Sequence, residues 1–331
     1  MAGKFLRHAP GSGTAGRLDV GGGLWQDSPP RFTGPDHSTP NPAPDLRVTV
    51  LRRPLAAFCG SCEALVQTDR MRTELISEPG DPARANEDFA ALAVPVAGQG
   101  GSLVVLDGVT PPQGAYGCRH TVAWFTARLG GALTELSVSQ GDMPLADVLA
   151  GAVSRTAAAH ASTCDLSHPR TPQATVVLAR WSPRSVEYLV LSDSVLLLEG
   201  PDKAVTAVLD DRLERLPRAS LASVAVTDGT LRNREGGFFT AAADPSVASR
   251  AVTGAVPREE VRALAALTDG ATRWVDRFGA GDWAGCLRVV REEGAGALVR
   301  RVRALERDDS ARTRLGRAKR HDDATVVYVE P

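Results

Sequence analysis

No run of apolar residues in this 331-residue chain approaches the ~18 that a membrane-spanning helix requires. The first residues, Met1 to Gly23, lack the compact apolar stretch of a secretory leader. An excess of either charge is missing too: formal net charge is -1 and the pI about 6.6, without the basic surplus that draws proteins to nucleic acid or anionic membranes. Nucleic acid and membrane are therefore set aside as partners, and a cytoplasmic location is expected. Cysteine is scarce, five in all, an odd number that suits a reduced compartment better than a disulfide framework. Cys59 and Cys62 form a C-x-x-C, but a structural zinc site would want a second matching pair and no second C-x-x-C exists. Two ordinary reduced thiols is the simpler reading; a thiol redox or zinc protein is the alternative. Internal repeats are absent as well.

What is there divides into three stretches. Residues 1–45 are dense in Gly, Pro, Ser and Thr, a composition that cannot bury enough apolar surface to offset its ordering entropy, and a disordered tail is expected. Residues 46–70 hold one strand-like run, Leu46 to Leu51, and form an extension of unknown role. From Met71 to Pro331 short Val- and Leu-rich runs predict strands at 73–77, 89–94, 102–106, 174–179, 186–191, 195–198, 222–226, 263–267 and 324–329. Helical periodicity is predicted at 119–136, 145–161, 245–253, 283–292 and 296–306, with Trp124, Trp274 and Trp283 on faces that read as core. Strand clusters separated by pairs of helices indicate an α+β layered domain.

Two apolar runs end alike. Ser102 to Leu106 delivers Asp107-Gly108, and Ala263 to Thr268 delivers Asp269-Gly270. Asp-Gly is a strong two-residue hairpin signal, yet Val109-Thr110-Pro111-Pro112 and Ala271-Thr272-Arg273-Trp274 are not obvious returning strands; the glycine would instead let backbone approach an ion. Asn86-Glu87-Asp88 precedes another strand, and His321-Asp322-Asp323 precedes the last. Were these strands to share facing sheets, ionised carboxylates from distant parts of the chain would meet at one end and need cations, which hard divalent ions with oxygen ligands supply.

Arg84-Ala85-Asn86-Glu87-Asp88, Leu106-Asp107-Gly108, Thr268-Asp269-Gly270 and Asp322-Asp323-Ala324-Thr325 occur in the order and rough spacing of the motifs of the PPM (type 2C) metal-dependent protein serine/threonine phosphatases, and the chain resembles a divergent bacterial-type member of that family. Ala174 to Leu178 resembles the strand opening the family's middle meander, and Leu191-Ser192-Asp193-Ser194 its Gly-Asp-Ser turn. The resemblance covers about residues 71–331. It implies a four-layer α-β-β-α sandwich of two mostly antiparallel sheets, phosphorylated protein as substrate, and Mn2+ or Mg2+ as two ions with a weaker third. Asp107 would bridge the two ions, Glu87 and the Gly108 carbonyl would serve one, and Asp269 and Asp322 the other. Asp88 would organise the surrounding shell, and Asp193 would lie near the third ion, with an ordinary hairpin aspartate as its other reading.

The resemblance breaks in places. A second Thr-Asp-Gly stands at Thr227-Asp228-Gly229; Asp269 is preferred because it lies nearer the terminal strand and is followed by helix-like sequence. Val109 follows Asp107-Gly108 where many relatives carry His or Gly-Gly, so the leaving-group acid is missing and His120 is the candidate replacement, a structural histidine being the alternative. Arg84, the candidate phosphate ligand, stands one residue closer to its aspartate than in relatives, a slip that on a strand would reverse its face. The basic cluster Arg312, Arg314, Arg317, Lys319 and Arg320 reads as a solvated loop or as a guide for phosphoprotein. A pseudophosphatase or regulatory binding module with the same fold and little turnover is the rival function.

Overall fold

Short strands rich in valine, leucine and alanine pair antiparallel into two sheets of five. The computed structural model describes residues 71–331 except 96–99, 112, 113, 115, 222 and 309–319. The expected tail and extension, Cys59 and Cys62, and all of the basic cluster but Arg320 lie outside the described residues. One sheet runs β1 (Arg72–Glu78), β10 (Ala324–Glu330), β9 (Ala263–Leu267), β6 (Val195–Glu199), β7 (Val205–Val208). The other runs β2 (Phe89–Ala93), β3 (Gly101–Leu106), β4 (Val176–Trp181), β5 (Ser185–Leu191), β8 (Val252–Pro257).

Both faces of each sheet are covered, which is why the strands read as unbroken apolar runs rather than alternating ones. Leu103, Val105, Val177 and Val190 meet Leu196, Leu264, Ala266 and Val327 between the sheets. Outward from the second sheet, Val104, Leu106, Leu178 and Leu189 pack on α1 (Val122–Ser139) and α2 (Leu145–Ala158). Short turns α3 (Arg218–Leu221) and α4 (Val224–Val226) lead into a π-turn at Thr227–Leu231. Outward from the first sheet, Leu197, Ala265, Leu267 and Val326 pack on α5 (Asp269–Asp276), α6 (Trp283–Glu293) and α7 (Ala295–Asp308). The four layers are thus α-β-β-α, the expected α+β sandwich.

The helices form where caps and spacing coincide. Val122, Phe125, Leu129, Leu133 and Leu136 make one buried stripe on α1, and the Thr121 hydroxyl accepts the Trp124 N–H to cap it. Asp282 caps α6, and Gly294 at φ 93° ends it. Two predictions fail. The run at 222–226 is no strand: Val224 and Val226 are exposed in α4, with no ladder partner to reward extension. Residues 245–253 are no α-helix but a 3₁₀ turn, Pro245–Arg250, entering edge strand β8, whose alternating burial is diluted in sequence by Thr253 and Gly254. Among the described residues no helix is long and apolar enough to cross a membrane.

Register gathers the acids. Phe89 lies opposite Leu106, Val176 opposite Leu191, Val195 opposite Leu267 and Leu267 opposite Val326. Antiparallel pairing therefore brings the starts of β2, β6 and β10 to the same end as the exits of β3, β5 and β9.

Candidate functional site

Asp107 is delivered by β3. Its N–H donates to Thr175 Oγ1 at 3.1 Å, the Thr175 N–H donates back to its carbonyl at 2.9 Å, and the Thr175 hydroxyl shares a 2.6 Å hydrogen bond with Ser194. Asp107 Oδ2 accepts the N–H of Asp269 at 3.3 Å, so a carboxylate of one sheet rests on the first residue of a helix from the other. Behind it Gly108 is packed so closely that a Cβ would come within 2.5 Å of the Glu87 carbonyl oxygen and of Val122. Glu87 accepts the Thr110 hydroxyl and donates its N–H to Asp323 Oδ2 at 2.6 Å.

Asp88 joins the sheets. Its Oδ2 accepts the hydroxyls of Thr325 at 2.6 Å, on β10, and of Thr268 at 3.0 Å, just past β9, while its Oδ1 is buried without a partner. Asp322 Oδ2 accepts Arg273 Nη2 at 3.0 Å, and Arg273 Nη1 donates to buried Glu306 at 2.6 Å. Asp193 accepts the Ser192 hydroxyl at 3.2 Å in a turn where Ser192 takes φ 69° and donates its N–H to Asp210 at 2.8 Å. All of these carboxylates are partly exposed at the sheet end.

Crowding shows in their protonation. Burial and the neighbouring Asp323 and Asp269 charges push Asp88 up to about 8, against the pull of its hydroxyl partners. Burial and the charges of Asp322 and Asp193 push Asp269 up to about 6. Asp107 is raised by burial and by Asp269, Asp88 and Asp193 together, and Asp193 by burial. An all-oxygen donor set carrying this much unrelieved negative charge, with one buried carboxylate oxygen lacking any partner, fits hard divalent cations.

Of the residues singled out in the sequence, Glu87, Asp88, Asp107, Gly108, Asp193, Asp269 and Asp322 come together here. Asp228 does not take this place: it sits in the π-turn, held by Arg170 at 2.6 Å and Arg232 at 3.6 Å. Arg84 is exposed in the turn between β1 and β2, where its N–H bonds the Asp81 carbonyl, so strand alternation does not govern its direction. His120 departs from its expected part. Its Nδ1 faces the sulfurs of Cys118 and Cys164, and its ring stacks on Trp124 at 4.0 Å, contacts that lend a leaving-group acid no support.

Several residues were missed. Asp323 accepts the N–H groups of both Gly80 and Glu87 and so fixes the β1–β2 connection. The threonines of Thr268-Asp269-Gly270 and Ala324-Thr325 orient Asp88, and the acid doublet 322–323 and these motif threonines were their only signal. Cys118, His160 and Cys164 carried one in the spacings C-x-H and H-x-x-x-C.

The sequence profile of Protein phosphatase 2C matches residues 84–317, well over half the chain, and the chain belongs to that family. No individual curated protein sequence matches it. Among solved structures it is similar to a bacterial serine phosphatase variant, at 13% identity over 79% of this chain and 98% of that one, TM-score 0.52. It is also similar to the Staphylococcus aureus serine/threonine phosphatase Stp1, at 13% identity over 78% and 94%, TM-score 0.49. A third is the catalytic domain of the phosphatase PstP in complex with two manganese ions, at 16% over 78% and 97%, TM-score 0.47. At these identities the likeness speaks for the fold.

Proposed function

We propose that this protein phosphatase hydrolyses phosphoserine and phosphothreonine in proteins at a two-cation site taking Mn2+ or Mg2+. The observation that carries the reading is the convergence of carboxylates from both sheets on one end, with Asp107 bonded to the Asp269 backbone and the buried Asp88 Oδ1 unpartnered. In this reading Asp107 lies between the ions, Glu87 and the Gly108 carbonyl hold one, Asp269 and Asp322 hold the other, Asp88 steadies them from behind, and Asp193 faces a weaker third. Bound cations of this kind activate water and offset phosphoryl charge.

The chain's own groups do the rest. Thr268 and Thr325 fix Asp88, Arg273 aims Asp322, and the exposed Arg84 is available to a phosphate at the lip. Beside the acids opens a groove of about 590 Å³ whose walls include Val109, Thr110, Pro111, Leu221, Val224 and Arg170, apolar and basic together, as suits an extended phosphopeptide. The reading keeps the protein in the cytoplasm.

A second reading, a regulatory module that binds but scarcely turns over, is favoured by Val109 after Asp107-Gly108 and by the engagement of His120 with sulfur. Phosphopeptide hydrolysis with and without Mn2+ separates them. Asp107→Asn and Asp269→Asn should each abolish Mn2+-dependent turnover without unfolding the protein, and Asp228→Asn should leave it largely intact. Mn2+ and phosphopeptide binding without wild-type turnover would give the module reading; near-wild-type turnover in Asp107→Asn or Asp269→Asn would remove that residue from the site.

A further inference from the structure

Away from the acidic end, two loops meet. Cys118 and His120 lie just before α1; His160 and Cys164 lie just after α2. The Cys118 Sγ is 3.4 Å from His160 Nδ1 and 3.5 Å from His120 Nδ1, the Cys164 Sγ is 3.4 Å from His120 Nδ1, and the two sulfurs are 3.1 Å apart. One ligand atom from each of the four falls within 4.8 Å of all the others, and among the described residues no other such group of histidines, cysteines and acids occurs. We propose that Cys118, His120, His160 and Cys164 hold a structural zinc ion.

Geometry and donor chemistry both support the choice. A tetrahedron with Zn–S near 2.3 Å and Zn–N near 2.0–2.1 Å has S···N edges of about 3.5 Å and an S···S edge of about 3.8 Å. The three sulfur–nitrogen separations already match, and the sulfurs need to part by roughly 0.7 Å, within reach of small χ1 rotations. Two thiolates and two imidazoles make a closed set selective for zinc, whereas Mg2+ and Mn2+ favour the oxygen ligands at the other site.

The surroundings are built for it. His160 is 2% exposed and its Nε2 has no hydrogen-bond partner, so without an ion this buried imidazole is left with little more than a weak thiol contact. The His120 ring is clamped by Trp124, which also lies 5.3 Å from the His160 ring, and the His120 N–H donates to Cys118 Sγ at 3.4 Å. The loops are joined beneath by the Asp165 N–H on the Gly117 carbonyl at 2.7 Å, with Gly117 at φ 70° pressed against His168. The cysteines are 46 positions apart, so the ion would close a long loop and tie the entry of α1 to the exit of α2. Because Val122 in the first turn of α1 packs on Gly108, the tie also steadies the segment behind Asp107.

The test uses the full chain purified without chelator. Elemental analysis should find about one zinc per chain, retained in Cys59→Ser/Cys62→Ser and in Asp107→Asn, the latter keeping this result separate from the phosphatase reading. In Cys118→Ser/Cys164→Ser zinc should fall at least tenfold. Because that variant could lose its fold, the wild-type apoprotein is also titrated with Co2+; thiolate-to-cobalt charge-transfer bands and intense tetrahedral d–d bands should appear and vanish on adding Zn2+ but not Mn2+. Zinc that survives in the Cys118/Cys164 variant, cobalt spectra without thiolate bands, or a zinc-free protein with a Cys118–Cys164 disulfide when isolated without reductant would each overturn the assignment.

Discussion

Asp88 shows how much one side chain can be asked to do. It pins β10 to the end of β9 through two threonine hydroxyls, yet presents its other oxygen, buried and unpartnered, toward the acids around it. Its pKa of about 8, and that of Asp269 near 6, stand above the ~4 of an unfolded aspartate. A raised carboxyl holds its proton more tightly folded than unfolded, so between those values the native state carries more protons and stability falls as pH rises. Without added Mn2+ or Mg2+ the melting temperature should therefore drop from pH 5.5 to pH 8, and Mn2+ should raise it more at pH 8 than at pH 5.5. A melting temperature that climbs toward pH 8 without metal would contradict the carboxylate coupling. At this scale the sequence was legible where chemistry follows strand ends: an acid after an apolar run marked Asp107 and Asp269 directly. It could not rank Asp269 over Asp228, because identical tripeptides differ in what folds around them, and the two arginines that claim Asp228 are distant in the chain. Asp323 was hidden for a related reason, since its work is to receive backbone N–H groups that only the fold brings near.

Elements α5 and α7 meet through charge as well as through leucines. Arg273 on α5 bridges buried Glu306 on α7 and Asp322 before β10; Glu306 also receives Arg303 at 2.9 Å and His321 at 2.7 Å. Removing one partner of such a buried pair costs ~3–5 kcal/mol, chiefly from the charge left behind. Glu306 keeps two other partners, so Arg273→Met, which retains an apolar stem, should cost about 3 kcal/mol in urea unfolding, at the low end of that range. It should also weaken Mn2+ binding, because Asp322 loses its guide; an unchanged Mn2+ affinity would show that Asp322 is held otherwise. Helices with a buried stripe and a polar cap were plain in sequence. The elements that escaped, β7 and β8 and the turns around Thr227, sit at sheet edges or on the surface, where burial no longer enforces a period.

Across the whole molecule, the described fold begins at β1, which pairs along its length with β10 and stands at the end of its sheet. A chain starting at Met71 should melt within ~3 °C of the full chain and keep Mn2+-dependent turnover within about twofold. A larger loss would mean that residues 46–51 add a strand to the β1 edge or cover the core. The layered architecture was readable because apolar runs with acids at their ends recur in a fixed order, whereas the pairing order of the strands rests on contacts between segments far apart in the chain.

Gly108 and Gly270 decide how such a protein can change over time. Helix propensity favours alanine over glycine by ~1 kcal/mol at an interior position, yet at 270 a methyl group would run into the Asp323 carbonyl oxygen, and at 108 into Glu87. With backbone laid on backbone, no side-chain adjustment can make room, so selection at these two points has no graded path to follow. A lineage carrying this fold is free to rewrite its helices and rim while inheriting two hydrogen atoms that nothing else can replace.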